Sequence, residues 1–196
     1  MLTKRILVCS LIVISLAVGA CGLFETRTPE QPPPPTEGCR PLTSGTFAVV
    51  FNVEDFYGRL SGRTCYASTL DTSFVFHPDP QDSLQFLPST PFAGWDEIVE
   101  GQVNESIANV QKFIQVDFTD EYASAIISPD QNTEQRFWDY QLRVVLTAPD
   151  TLRFTGKADL TLHRGNTGEW RITSWVDHRG GVTDSTWGLF RGSSRI

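Results

Sequence analysis

The strongest constraint on the fold is a change of hydrophobic period near residue 113. Before it, Trp95 to Val110 places Trp95, Ile98, Val99, Val103, Ile107 and Val110 at helical spacings. Asp96 and Glu97 sit in its first turn, where the helix dipole favours acids. From Phe113 the apolar residues alternate, predicting strands over 113–119, 122–128, 136–147, 152–163 and 170–178. Upstream, Phe47 to Leu60 reads as a helix with Phe47, Val50, Phe51 and Tyr57 near one face. A short second helix is expected around Cys65 to Leu70, then a strand Phe74–His77 stopped by Pro78 and Pro80 and followed by a loop. Helices first and strands afterwards predict an α+β fold, with a curved antiparallel sheet closing over the helices.

The first 38 residues do not belong to that domain. Lys4 and Arg5 precede the run Ile6 to Ala20, which is too short for the ~20 residues of a spanning helix and ends in small residues. This is an export signal over 1–20. Val18-Gly19-Ala20-Cys21 resembles the bacterial lipobox, which implies cleavage before Cys21 and acylation of its thiol and amine. Several acyl chains hold a protein stably on a membrane where one does not. Gly22 stands where an aspartate would favour the inner membrane, so the expected address is the cell envelope, facing periplasm or exterior, with the outer membrane favoured if the host has one. Residues 21–38, including Pro29 and Pro32 to Pro35, form a proline-rich tether extended at ~3.1 Å per residue. The folded domain is expected over 39–196.

Four cysteines reduce to two once Cys9 leaves with the signal and Cys21 is acylated. In an oxidising compartment Cys39 and Cys65 are expected to form a disulfide, against the alternative of two buried thiols. The 16 basic and 23 acidic residues give −7, and −9 after loss of Lys4 and Arg5. An acidic surface without clustered cations argues against nucleic acid as a partner.

Asn52-Val53-Glu54, Tyr57, Arg59, Tyr66, Leu70-Asp71, Phe74-Val75-Phe76 and Pro78-Asp79-Pro80 resemble the opening of bacterial lipoproteins with a nuclear-transport-factor-2-like (SnoaL-like) domain. The ending, Gly168 to Asp177, is similar to the last strand of that superfamily. The resemblance covers about 46–180 and implies a cone: a strongly bent antiparallel or mixed sheet wrapped around N-terminal helices, enclosing a tapered cavity.

Alternation assigns the faces. Phe154, Gly156, Ala158, Leu160 and Leu162 share one side of their strand, and Trp138, Tyr140, Leu142, Val144 and Leu146 share one side of theirs. If a bulge lies near Thr173-Ser174, Trp170, Ile172, Trp175 and Asp177 all point inward, since a bulge shifts the alternation by one. The expected pocket lining is therefore Tyr140, Leu142, Phe154, Ala158, Trp175 and Asp177, with room beside Gly156 and Ala158. Superfamily enzymes use an inward carboxylate or imidazole as base beside a polarising Tyr or acid, and Asp177 with Tyr140 is the pair to examine for that chemistry. The competing role for Asp177 is structural, hydrogen-bonding nearby backbone.

His77, Asp79 and Asp82 offer mixed ligands, but a solvated turn is the preferred reading and no metal is expected, since neither HExxH nor zinc-spaced cysteines occur. Gly58 to Gly62 fails the nucleophile-elbow pattern, and no phosphate or dinucleotide fingerprint is present, so no cofactor is expected. Trp95, Trp170 and Trp175 read as core. Trp138 beside Phe137, and Trp187 in the tail 183–196, are less determined: the former suits a sheet-face homodimer or protein partner or else merely covers a helix, the latter an edge strand or a segment docked on the sheet.

The leading expectation is a non-enzymatic envelope lipoprotein that binds a small apolar molecule or a protein. The competing ones are an isomerase, dehydratase or cyclase working through the cone, and a structural subunit of an envelope assembly. Side chains filling the cone would count against both small-molecule roles.

Overall fold

The computed structural model describes residues 38–59, 62–110, 113–145 and 150–195. The signal, Cys21 and the tether up to Glu37 lie outside the described residues, as do Leu60, Ser61 and Leu146.

Gly45, at φ 112°, ends a 3-10 turn (Leu42–Ser44) and opens α1 (Thr46–Phe56). This helix is apolar on several sides, so periodicity admits more than one buried face. The stripe that packs inward is Thr46, Val49, Val50 and Val53. Phe47 and Phe51, expected on the buried face, are 46% and 38% exposed. Their rings lie under the guanidinium groups of Arg136 and Arg40, at 4.2 and 4.0 Å, which lets them face water. Tyr57 is buried, but from the residue after the helix.

The N-terminal entry is fastened twice. Cys39 is bridged to Cys65 in α2 (Arg63–Ser68), with Cα atoms 5.2 Å apart. The Asn52 side-chain amide pairs with both backbone groups of Arg40, at 2.8 and 3.0 Å.

Strand β1 (Leu70–His77) begins four residues earlier than expected. The segment after it is not wholly a loop: Asp79 accepts from the Gln81 N–H, Pro80 occupies the first turn, and α3 runs Pro80–Gln85. An acid cap followed by proline is a helix start, and here it overrides the reading of Pro80 as a breaker. Helix α4 (Glu97–Val110) buries Val103, Ile107 and Ala108 together with Glu100 and Asn104, while Ile98 and Val110 of the expected stripe are exposed.

The remaining strands are β2 (Phe113–Ile127), β3 (Thr133–Val145), β4 (Thr151–Arg164) and β5 (Trp170–His178). They form one mixed five-stranded sheet in the order β1-β5-β4-β3-β2, parallel only between β1 and β5. The two strands expected over 113–128 are one, whose pairing with β3 shifts register three times between Phe118 and Ile126. Such irregularities bend a strand and supply curvature. On β5, Ile172 pairs with Leu162 and Ser174 with Thr161, so Thr173 is the extra residue of a bulge. Ile172, Trp175 and Asp177 are accordingly all buried on one side, with Trp170 half-buried against the same core.

The tail forms α5 (Trp187–Ser193), not an edge strand. Thr186 caps it, accepting from the Leu189 N–H, and Trp187, Phe190 and Arg191 are buried. Gly188 and Gly192 allow the close approach: a Cβ on Gly188 would lie 2.9 Å from Asp177 Oδ2, and one on Gly192 2.6 Å from the Phe92 ring. The core therefore lies between the concave sheet face and the helices α1, α2, α4 and α5. The architecture is the α+β cone of the nuclear-transport-factor-2-like fold, with an open sheet.

Candidate functional site

Strand register brings Tyr140 and Asp177 together. Tyr140 of β3 lies opposite Gly156 of β4, and Ala158, two residues on, lies opposite Asp177 of β5. Gly156 has no side chain to intervene, so the Tyr140 hydroxyl crosses β4 and donates to Asp177 Oδ1 at 2.7 Å. The room expected beside Gly156 is taken by that hydroxyl, 2.5 Å from where a Cβ would sit.

Helix α5 occupies the other side of the pair. The Trp187 N–H donates to Tyr140 Oη at 2.7 Å, and the Gly188 N–H donates to Asp177 Oδ2. The Thr186 hydroxyl donates to the buried carboxylate of Asp82, which Arg179 meets at 2.6 Å. The first two amides of the tail helix are thus satisfied by side chains of the cone wall, and that of Leu189 by Thr186. Burial pushes the Asp177 carboxyl up to about 7, against hydrogen bonds from Tyr140 and Gly188 and the positive charge of Arg191. Burial also raises Tyr140, and the Asp177 charge adds to that.

One turn further along α5, Arg191 is fully buried. Its Nε and Nη2 reach Glu100 Oε1 at 3.1 and 3.0 Å. Glu100 is also fully buried and accepts from Tyr66 Oη at 2.5 Å and Trp95 Nε1 at 2.7 Å. The guanidinium carbon lies 4.2 Å from the Trp175 ring centre, 4.4 Å from Phe76 and 4.7 Å from Trp187. A charge pair so far from water is costly unless its hydrogen bonds are made: the carboxylate has four donors around it, while Arg191 Nη1 has no acceptor among the described residues.

The other expected lining residues meet the same helix or lie under it. Phe154 faces Phe190 at 5.1 Å between ring centres, and Trp175 meets Trp187 edge-on at 4.5 Å. Leu142 and Ala158 are fully buried in the core. At the mouth, Asp79 is the cap of α3 and accepts from the Arg179 N–H at 3.0 Å, and among the described residues no group of three His, Cys, Asp or Glu side chains stands ready for a metal. Trp138 packs between Phe47 and Phe118 rather than standing free on the outer face.

Sequence reasoning missed Glu100 and Arg191. An acid three and seven residues before Val103 and Ile107, inside an apolar helical stripe, was the available sign for the first. For Arg191 it was the four-residue spacing from Trp187, behind a threonine cap.

Chemically, both oxygens of Asp177 and the hydroxyl of Tyr140 are engaged, and main chain of the tail stands where a substrate atom would approach. In this structure the pair holds the first turn of the chain's own α5.

No protein-family model matches the sequence, and no curated protein matches it. Solved structures do share its fold. A candidate aromatic ring hydroxylase from Novosphingobium aromaticivorans superposes with a TM-score of 0.57 at 8% identity, over 76% of this chain and 95% of the other. Rv3472 of Mycobacterium tuberculosis, a protein of unknown function, gives 0.52 at 12%, over 76% and 82%. A candidate scytalone dehydratase from N. aromaticivorans gives 0.51 at 8%, over 70% and 87%. At such identities the likeness carries the fold and nothing of the chemistry, and that fold is the nuclear-transport-factor-2-like cone.

Proposed function

We propose that this chain is a lipid-anchored protein of the cell envelope whose cone is a binding module and not an active site. Anchoring rests on the Val18–Cys21 motif directly after an export-type apolar run, and the proline-rich 21–38 serves as the spacer. The fold hosts both enzymes and binders, so the choice between them rests on one observation. Tyr140 and Asp177, the pair that would act as acid and base, are hydrogen-bonded to the first amides of α5. A general base must reach the proton it removes, and here the tail stands in that place. The enzymatic reading keeps one point in its favour, a carboxyl poised near neutrality beside a tyrosine. It requires the tail to leave the cone.

The test uses the full chain purified in detergent. Asp177→Asn and Tyr140→Phe are expected to lower thermal stability, and wild type is expected to leave the α-protons of a panel of cyclic and aromatic ketones unexchanged in D₂O. Exchange that Asp177→Asn abolishes would establish the enzymatic reading instead. For the anchor, labelled palmitate is expected in the wild-type chain and absent from Cys21→Ala.

A further inference from the structure

We propose that the outer face of the sheet carries a binding site for the phosphate of an anionic phospholipid, built on Arg143 of β3 and Arg153 of β4 with Gln141 and Thr155 beside them. The site lies outside the cone, and it rests on the reading of the chain as a protein held at a membrane.

Strand register sets the two arginines together. Arg143 lies directly opposite Arg153, with Gln115 of β2 on its other side, and the next row holds Asp117, Gln141 and Thr155. All six are exposed, while the alternate residues Val116, Leu142, Val144 and Phe154 are buried, so both rows stand on the outer face. Like charges directly opposite each other destabilise a sheet. Among the described residues neither guanidinium pairs with a carboxylate, whereas Lys157 and Arg171 on the same sheet hold Asp139 and Glu169 at 2.9 and 2.8 Å. Asp117, the carboxylate of the second row, accepts from Gln115 Nε2 at 3.1 and 3.0 Å through its two oxygens and is held to its own strand. A net charge of −7 repels anions at long range, but charges beyond about 8 Å are largely screened at physiological ionic strength, and the pair governs its own surroundings.

The two rows border a depression of about 250 Å³. That is less than the roughly 300–1,000 Å³ of pockets that enclose a whole ligand, so it takes a group and leaves the rest of the molecule outside. Two planar forks, with amide and hydroxyl donors from Gln141 and Thr155, suit a tetrahedral oxyanion. What the remainder meets is apolar. Phe113, one row beyond Gln115 and Arg143, is 47% exposed, with its ring centre 6.0 Å from the Arg143 guanidinium carbon, and the same end of the sheet exposes Leu152 by 41%. Basic groups for a headgroup beside an uncovered apolar rim fit a phospholipid better than a free inorganic anion.

The test takes the full chain purified in a non-ionic detergent, adds dioleoylphosphatidylglycerol and counts phospholipid adducts by native mass spectrometry. The wild type is expected to carry one saturable adduct. The Arg143→Ala, Arg153→Ala double variant is expected to bind it at least about tenfold more weakly, since charge-assisted contacts are lost, and the double lysine variant to fall between, as point charges without the fork. Asp117→Asn is expected to bind several-fold more tightly, a gain that misfolding does not produce. Because the arginines are exposed and oppose each other, the double alanine variant is expected to melt no lower than wild type. The proposal fails if that variant, folded, carries the adduct as wild type does. It fails if inorganic phosphate raises the wild-type melting temperature while no lipid adduct depends on the arginines, which would make this a site for a free oxyanion. Arginine-dependent dimers without lipid would give the pair to a second copy's carboxylates and overturn it likewise. Absence of palmitate from the wild-type chain would remove the membrane address and leave the arginine dependence readable, so the two failures are told apart.

Discussion

Asp177 is the side chain of the site whose titration is moved into the neutral range. Burial raises it to about 7, while the Tyr140 hydroxyl and Gly188 amide, with the charge of Arg191, pull the other way and Asp82 adds to the rise. In the unfolded chain it titrates near 3.8. Between those values the folded chain holds a proton that the unfolded chain has released. Its contribution to stability is therefore fully present below about pH 4, declines up to about pH 7 and is flat above, a change on the order of 4 kcal/mol. Urea midpoints should fall from pH 5 to pH 7.5, and Asp177→Asn should flatten most of that slope. Glu54, also raised by burial, keeps a smaller slope of the same sign. A wild-type midpoint that rises across this range would mean that Asp177 is ionised throughout. Alternation on β3 places Tyr140 on the inward side from the sequence alone, whereas Asp177 joins it only given a bulge on β5, which the strand register supplies. What they touch was not legible, because α5 arrives from a stretch with no hydrophobic period.

At the scale of elements, two helical glycines make opposite predictions. Gly192 in α5 lies where a Cβ would come within 2.6 to 2.8 Å of the Phe92 and Phe86 rings. Gly192→Ala should cost about 1–3 kcal/mol through overpacking, outweighing the helix-propensity gain of about 1 kcal/mol. Gly101 sits inside α4 with nothing within 4 Å of its would-be Cβ. Gly101→Ala should raise stability by about 0.5–1 kcal/mol, and thermal melts of the two variants should shift in opposite directions. A Gly192→Ala chain as stable as wild type would mean that α5 can slide in its seat. The sequence was a good guide to elements where a single pattern held, as on β3, β4 and β5. It misled where two physical forces compete. On α1 either aromatic or aliphatic positions could face inward, and cation–π partners on Arg40 and Arg136 decided it. At α3 a proline that stops strands also starts helices.

Over the whole molecule, the two ends of the domain are fastened by different chemistry. The entry is clipped covalently by Cys39–Cys65 and again by the Asn52 amide on Arg40, while the exit is held in the cone by Arg191, Glu100 and the Tyr140–Asp177 pair. A reducing agent therefore acts on one end and pH on the other. The bridge spans 26 residues, for which loss of loop-closure restraint in the unfolded chain is worth roughly 3–4 kcal/mol. Because the Asn52 contacts persist without it, the reduced chain should keep its native seat for α5. The Cys39→Ser, Cys65→Ser double variant should then unfold at lower urea with wild-type tryptophan emission before the transition, since Trp175 and Trp187 remain buried against each other. Its pH slope should match that of the wild type, because the two clips share no group and distant effects add. A double variant with altered native emission, or one whose pH slope has collapsed, would show instead that the entry clip reaches the tail through α2 and Tyr66.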